Sequence, residues 1–478
     1  MNEKTLGLPS VISTGVGLIV ATSCLMSLGQ GAGALGTGFI IAMIIACAIN
    51  ICTALSMAEL NALMPNLTGG LAQYTLAGIG PFITIVTMVG GYIVCQSIAG
   101  SVECAMFGNA INSVFDTGIP SSVFCIILLV VLIAVNLVGI DMFAKIQNVV
   151  VYGLVFSLVA MGLLGALGIG TGEVVDQPMN IATSFSDVFG YVALAFFLFI
   201  GSEFVIPISK NVKNERKNVP LGMVLSLLII LVMQIIVVFG MGRFCLWSDL
   251  AGSASPHILY GTSLLGYAGS IWMIIVSIFA VISTVNSAIS FLSYMCAGMA
   301  KIGLMPEFFL KKNKRGAYYV GILMIGIIMI VVNATGLSTS DSLSYMITIA
   351  IVFWMVSYVI ANFNVIIFRR RLPKAPRTFK VPLGMIIPII GIIGNVFMIW
   401  NIDGDPAVRM NIYMIDGIIF AILAVYAALW CKFKLKKPMF KPIAMHEVMA
   451  MENSLYLVAH KKYEEKNNMI LESEGQKL

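Results

Sequence analysis

From Phe196 to Pro220 the chain reads FFLFIGSEFVIPISKNVKNERKNVP, an apolar run with a carboxylate, Glu203, two residues past Gly201. A carboxylate at the bilayer centre costs about 2.5–3.5 kcal/mol even on mild scales, so it needs a local reason. A glycine there lets a helix open, and opened backbone at membrane depth is tolerated only where it lines a cavity or is buried in protein. The stretch therefore predicts a broken helix at a binding site. Gly15, Gly17 and the polar pair Thr22-Ser23 interrupt the first apolar run in a comparable way. Glu103 is a second carboxylate inside an apolar segment, YIVCQSIAGSVECAMFG, seven residues after Gln96 and so two turns away. It reads either as a counter-ion or proton site facing a cavity, or as a structural carboxylate near the outer end of its helix. Glu203 divides the same way, and Glu59, at a membrane edge, reads as structural. No metal cluster, nucleophile elbow or phosphate loop accompanies them, which argues against an enzyme. His257, His446 and His460 lie outside the deep apolar runs, which argues against a His-based site.

The elements that must hold these groups are membrane helices. The chain is 59% hydrophobic and 10% charged, with a mean hydropathy of +0.99, against about 25% charged in soluble domains. Its 9 cysteines are scattered through apolar runs, with no CxxC pair or disulfide framework. A spanning helix needs about 20 apolar residues. Twelve segments qualify: 11–28, 36–60, 82–112, 121–139, 144–169, 184–209, 220–242, 268–300, 317–336, 343–368, 382–402 and 411–431. The first reads as a spanning helix and not as a cleaved signal. The expectation is one transmembrane domain over 1–432 and a tail over 433–478.

Of the 28 Lys and Arg residues, only Arg243 and Arg409 fall on one side of that arrangement. The positive-inside rule then puts both termini in the cytoplasm, most simply of a cell (plasma) membrane. Asn66-Leu67-Thr68 matches a glycosylation sequon but falls on that cytoplasmic side and is discarded. The loop around 243–267 is the longest external one. The tail begins CKFKLKKPMFK and reads as a solvated or headgroup-binding segment.

Several motifs in order then resemble the amino acid–polyamine–organocation superfamily of secondary transporters, over roughly Thr14 to Pro382. LSMAEL at Leu55–Leu60, with Pro65, Gly69-Gly70 and Gly80-Pro81 after it, is similar to that family's second helix and following loop. NLVGIDMFAKIQN, from Asn136, resembles the approach to helix five. FIGSE with VKNERKNVP resembles helix six and its exit loop, the most specific match. AGMAKIGLMPEFF, from Ala297, resembles the end of helix eight, and RRRLPKAPRTFKVP, from Arg369, the loop after helix ten. The resemblance implies an all-α integral membrane protein of the leucine-transporter type. Helices one to five (about 11–169) and six to ten (about 184–368) would be inverted repeats, with helices one and six broken, and helices eleven and twelve would span 382–431. It implies a permease for amino acids working by alternating access, a symporter or exchanger. An amine or polyamine carrier is the alternative in the same class, and a non-transporting amino-acid sensor is a rival from another.

Site residues follow from the resemblance. The family has glycine–small–glycine where this chain has Ala21-Thr22-Ser23, and freed N–H groups there hold a substrate carboxylate. By that match Thr22, Ser23 and Cys24 receive the carboxylate, and the carbonyls of Phe199, Ile200, Gly201 and Ser202 the amine. The alternative is that the two hydroxyls bond back to their own helix. Cys95 and Ala99 match cavity positions of an arginine–agmatine antiporter in the family, and Phe197 and Ile200 match its gate and pocket positions, with Phe197 replacing a tryptophan. Ala280, Ser283 and Thr284 have the spacing of the family's sodium site, to which Gly17 and Val20 would add carbonyls. A Ser/Thr pair packing helix on helix is the plain alternative. Some proton-driven relatives carry a helix-five lysine in place of that ion. Tyr152-Gly153-Leu154 stands in that region here, so Na+ or H+ remains open as the coupling ion. No metal, cofactor or nucleic acid is expected. The partners are a small-molecule substrate and the lipid bilayer, with the oligomeric state open.

Overall fold

The structure, a computed structural model, describes residues 6–65, 71–115, 117–138, 140–336, 343–375, 377–445 and 447–448. Among them there is no strand, only two isolated bridges, Leu6 to Val212 and Gly36 to Asn180. The helices in chain order are α1 (Leu8–Ile19), α2 (Thr22–Leu35), α3 (Phe39–Leu63), α4 (Leu71–Gly78), α5 (Pro81–Met88) and α6 (Cys95–Phe115). Then come α7 (Ser121–Val138), α8 (Ile140–Leu167), α9 (Phe185–Gly190), α10 (Val192–Phe197), α11 (Glu215–Phe244) and α12 (Trp247–Gly252). The last are α13 (Pro256–Lys301), α14 (Tyr319–Ala334), α15 (Leu343–Arg371), α16 (Ile386–Trp400) and α17 (Pro406–Leu429). Gly69-Gly70, Gly139, the first five residues and the tail beyond Val448 lie outside the described residues.

Both expected breaks are present. The first run stops at Ile19, passes through extended Val20 and Ala21, and resumes as α2 at Thr22, bent by 68°. The sixth run stops at Phe197, turns through Leu198–Gly201, and continues as a 3-10 helix over Ser202–Asn211. Gly201 sits at φ +122°, a conformation that L side chains avoid, so this turn depends on glycine. The two broken runs face each other: the first half-helix packs on the 3-10 segment, and α2 packs on α10. Around them α11 packs along α8, α1 and α3, while α13 and α15 both pack on α6.

Among the described residues, eight helices are long and apolar enough to cross a membrane, nine with the bent pair. Three of the expected twelve are shorter: Val192–Ile206, Tyr319–Ala334 and Ile386–Trp400. The 16 residues of α14 reach about 24 Å, less than the hydrocarbon thickness. Expected boundaries also move. The first run extends to Leu35, and the expected loop at 243–267 holds α12 and the start of α13, which bends at Leu265-Gly266. Lipid-facing side chains concentrate on α7, α16 and α17, where Ile127, Ile393 and Ile422 are exposed. The described tail does not stand free. Phe82 N–H donates to Met439 O at 3.1 Å, and Ile443 N–H to Leu76 O at 3.2 Å, and the Phe82 and Phe440 rings lie 5.1 Å apart.

Candidate functional site

The two breaks meet α6 around a cavity of about 30 Å³, room for water and not for an amino acid. Its wall combines Ser23 and Cys24 of α2, Phe197 and Ile200 of the sixth run, and Thr284 of α13. From α6 come Gln96, Ala99, Gly100 and Glu103, at the i, i+3, i+4, i+7 spacing that puts four residues on one helix face. Cys95, also expected there, lies elsewhere. It is fully buried and does not line the cavity, although Ala99, four positions on, does. Phe199 and Gly201 in the turn, and Ser202 at the start of the 3-10 segment, do not line it. Ile19, Phe204 and Trp354 do line it and were not anticipated. Aromatic size near a predicted helix break was the available signal for Phe204. Phe204 stacks edge-on to Phe291 with centroids 4.4 Å apart, and Tyr92 meets Trp354 at 6.1 Å, which closes one side of the cavity with rings.

Glu103 joins the two readings left open for it. It is 1% exposed, and it both lines the cavity and bonds to the break. The N–H of Thr22 donates to one carboxylate oxygen at 3.0 Å, and that of Ser23 to the other at 2.8 Å. The Ser23 hydroxyl donates to Glu103 as well. These N–H groups belong to the first turn of α2, where donors lack helical partners and the dipole favours an anion. The donors expected for a substrate carboxylate are therefore already filled by a side chain of the protein. Thr22 Oγ1 donates to the carbonyl of Ser277 at 3.2 Å, so it bonds to α13 and not back to its own helix.

Carbonyls gather a few ångströms away. The Cys24 thiol lies 3.2 Å from Ile19 O and 3.8 Å from Phe197 O, the trailing ends of both broken helices. Helix C-termini favour a cation, so this pair complements the N–H pair. Glu203 lies outside the cavity. It accepts from Trp354 Nε1 at 3.0 Å and from Tyr358 O–H at 2.7 Å, tying the 3-10 segment to α15. Glu59 pairs with Arg369 and, at 3.3 Å, with Arg377, and accepts from Val381 N–H at 2.8 Å. It fastens the basic loop after α15 to the end of α3.

At the expected cation position the Ser283 hydroxyl donates to Gly17 O at 3.1 Å, bringing α13 onto the end of α1. Ala280 is buried beside it, and Val20 is the extended residue at the break. Thr284, the next residue, also lines the cavity, and its Oγ1 has no hydrogen-bond partner among the described residues. His257 corrects an expectation. It is fully buried, and its Nε2 lies 2.7 Å from Ser277 Oγ, one link from Thr22. It sits in the first turn of α13, in the stretch read from sequence as a surface loop. Asp416, inside α17, was also missed: it is buried, and neither of its oxygens has a hydrogen-bond partner among the described residues.

A family model described as amino acid permease matches residues 6–431. The branched-chain amino acid permease BcaP of Bacillus subtilis (strain 168) is 25% identical over 448 residues, 88% of this chain and 93% of that protein. BcaP of Lactococcus lactis subsp. cremoris (strain MG1363) is 24% identical over 438 residues, 85% and 91% of the two chains. The methylthioribose transporter of Bacillus subtilis (strain 168) is 22% identical over 435 residues, covering 86% and 88%. Two solved structures of the Eremococcus coleocola manganese transporter, a mutant and a complex with an aromatic bis-isothiourea substituted compound, are similar with TM-scores of 0.52 and 0.54. Each covers 89% of this chain and 95% of the other at 13% identity, a likeness of fold alone.

Proposed function

The chain belongs to the amino acid permease family, and we propose that its cargo is a neutral, apolar amino acid bound where the two broken helices meet. As a member it is a multi-pass membrane transporter, and we read it as working by alternating access. We read it as a carrier and not an enzyme, a reading supported by that membership. One observation carries the choice of cargo. Ile19, Ala99, Phe197, Ile200, Phe204 and Trp354 wall the cavity, and among the described residues no Lys, Arg or His lines it, so an acidic cargo side chain would find no counter-ion there, while the carboxylate on the wall, Glu103, is already held by the N–H pair of α2. The N–H pair of α2 and the carbonyls of Ile19 and Phe197 suit the two ends of a zwitterion. The similarity to two permeases named for branched-chain amino acids points the same way.

For the coupling ion we favour sodium held by Gly17, Val20, Ala280, Ser283 and Thr284. The support is the reach of Ser283 to Gly17 across the two helices. We place both termini on the cytoplasmic side of a cell membrane, from the distribution of Lys and Arg. Thermal-shift titration of the purified protein tests the cargo. Leucine, isoleucine and valine should raise the midpoint, while lysine, glutamate and isoamylamine should not. Stabilisation by lysine or glutamate alone would contradict the proposal.

A further inference from the structure

We infer that Glu103 is a built-in stand-in for the cargo's carboxylate, one that satisfies the broken helix while the carrier is empty and must let go for cargo to bind. The inference rests on the reading of this cavity as the cargo site. Glu103 reaches from α6 to a different helix, and its two oxygens take separate N–H groups, Thr22 at 3.0 Å and Ser23 at 2.8 Å. A carboxylate of an amino acid would seek the same pair, and both cannot be held at once. The cavity beside this contact is about 30 Å³. A polar group on its wall, Thr284 Oγ1, is meanwhile left without a partner among the described residues. The site is thus complete for the side chain that fills it and incomplete for anything else, as expected of a pocket at rest.

The physical need is specific. A carrier that moves cargo in one net direction must return empty. Empty, it would bury two N–H groups with no acceptor, a penalty that each unpaired donor carries. Glu103 removes that penalty without cargo. A zwitterion can replace it at small electrostatic cost. The cargo's carboxylate takes the N–H pair, and its ammonium, at the carbonyls of Ile19 and Phe197, offsets the added carboxylate, so the buried net charge does not change. A plain amine has no group to displace Glu103 with, and a plain carboxylic acid brings a second anion without a counter-ion.

The consequence is a split between two modes of transport. Exchange needs only the loaded carrier to reorient, whereas net efflux needs the empty one to return. Proteoliposomes preloaded with labelled leucine, with equal sodium and pH on both sides, are diluted into buffer either lacking leucine or saturated with it. Glu103→Met keeps length and removes both acceptor oxygens. It should lower net efflux relative to exchange at least tenfold, with exchange showing that the protein is folded. Glu103→Gln restores one acceptor and should fall between Met and wild type. An unchanged ratio in both variants, or equal loss of both modes in both, would overturn the inference while leaving leucine transport by the wild type intact. A wild type that exchanges but gives no net efflux would overturn it too. A wild type that moves no neutral amino acid would instead overturn the proposed cargo, and this inference with it.

Discussion

Gly201 has no tolerable substitute. At φ +122° any side chain is strained, and a Cβ there would lie 3.3 Å from both Ile19 Cγ1 and Phe204 Cδ2. Held strain of this kind costs about 1–3 kcal/mol, so Gly201→Leu should lower the thermal midpoint and abolish leucine binding in a protein that still folds. Normal leucine affinity in that variant, measured by calorimetry, would move the cargo site elsewhere. Glu203 makes a different prediction. Its two partners, Trp354 and Tyr358, donate to a buried carboxylate 3% exposed. Glu203→Ala leaves both donors unpaired and should cost at least about 2 kcal/mol, read as a lower unfolding midpoint. Glu203→Gln, which keeps one acceptor, should cost less. The two carboxylates were visible in the sequence because a charge inside an apolar run is conspicuous. Their partners were not, since Thr22 and Glu103 are 81 positions apart and Glu203 and Tyr358 are 155.

At the scale of elements, the helix ends are held by a few long-range links. Glu59 fastens Arg369, Arg377 and Val381, and both Glu59 and Arg377 are 2% exposed. Breaking a buried pair by removing one partner costs about 3–5 kcal/mol. Glu59→Ala should therefore free the loop, and limited trypsin digestion should cut faster between Arg370 and Lys380. Unchanged cleavage would show that the loop is held by something else. The helix breaks were legible because glycine and polar residues interrupt runs that hydropathy otherwise makes continuous. The three short spans were not. Hydropathy marks how far apolar residues continue, while a helix also ends where backbone partners are lost, as at Leu383 with φ +57° before α16. His257 was misplaced for a related reason. The stretch 243–267 looked polar enough for a surface loop, yet α12 packs on α2 and Pro256 abuts Gly29, which buries the start of α13.

For the whole molecule, the contact between α1 and α13 at Ser283 and Gly17 is where an ion would bias one conformation over another. A coupling of about 1–3 kcal/mol would tighten leucine binding about 5- to 150-fold in sodium over choline. Ser283→Ala with Thr284→Ala should remove that difference. Equal affinities of the unmutated protein in the two salts would leave no sodium coupling to explain, and the carrier would then be proton-driven or an exchanger. Counterflow tests the central claim most directly. Proteoliposomes loaded with unlabelled leucine are placed in trace labelled leucine, and internal label is followed with time. The account predicts a transient accumulation of label, suppressed by external isoleucine or valine and unaffected by lysine or glutamate. Absence of accumulation with every neutral amino acid, alongside accumulation of a charged one, would contradict it.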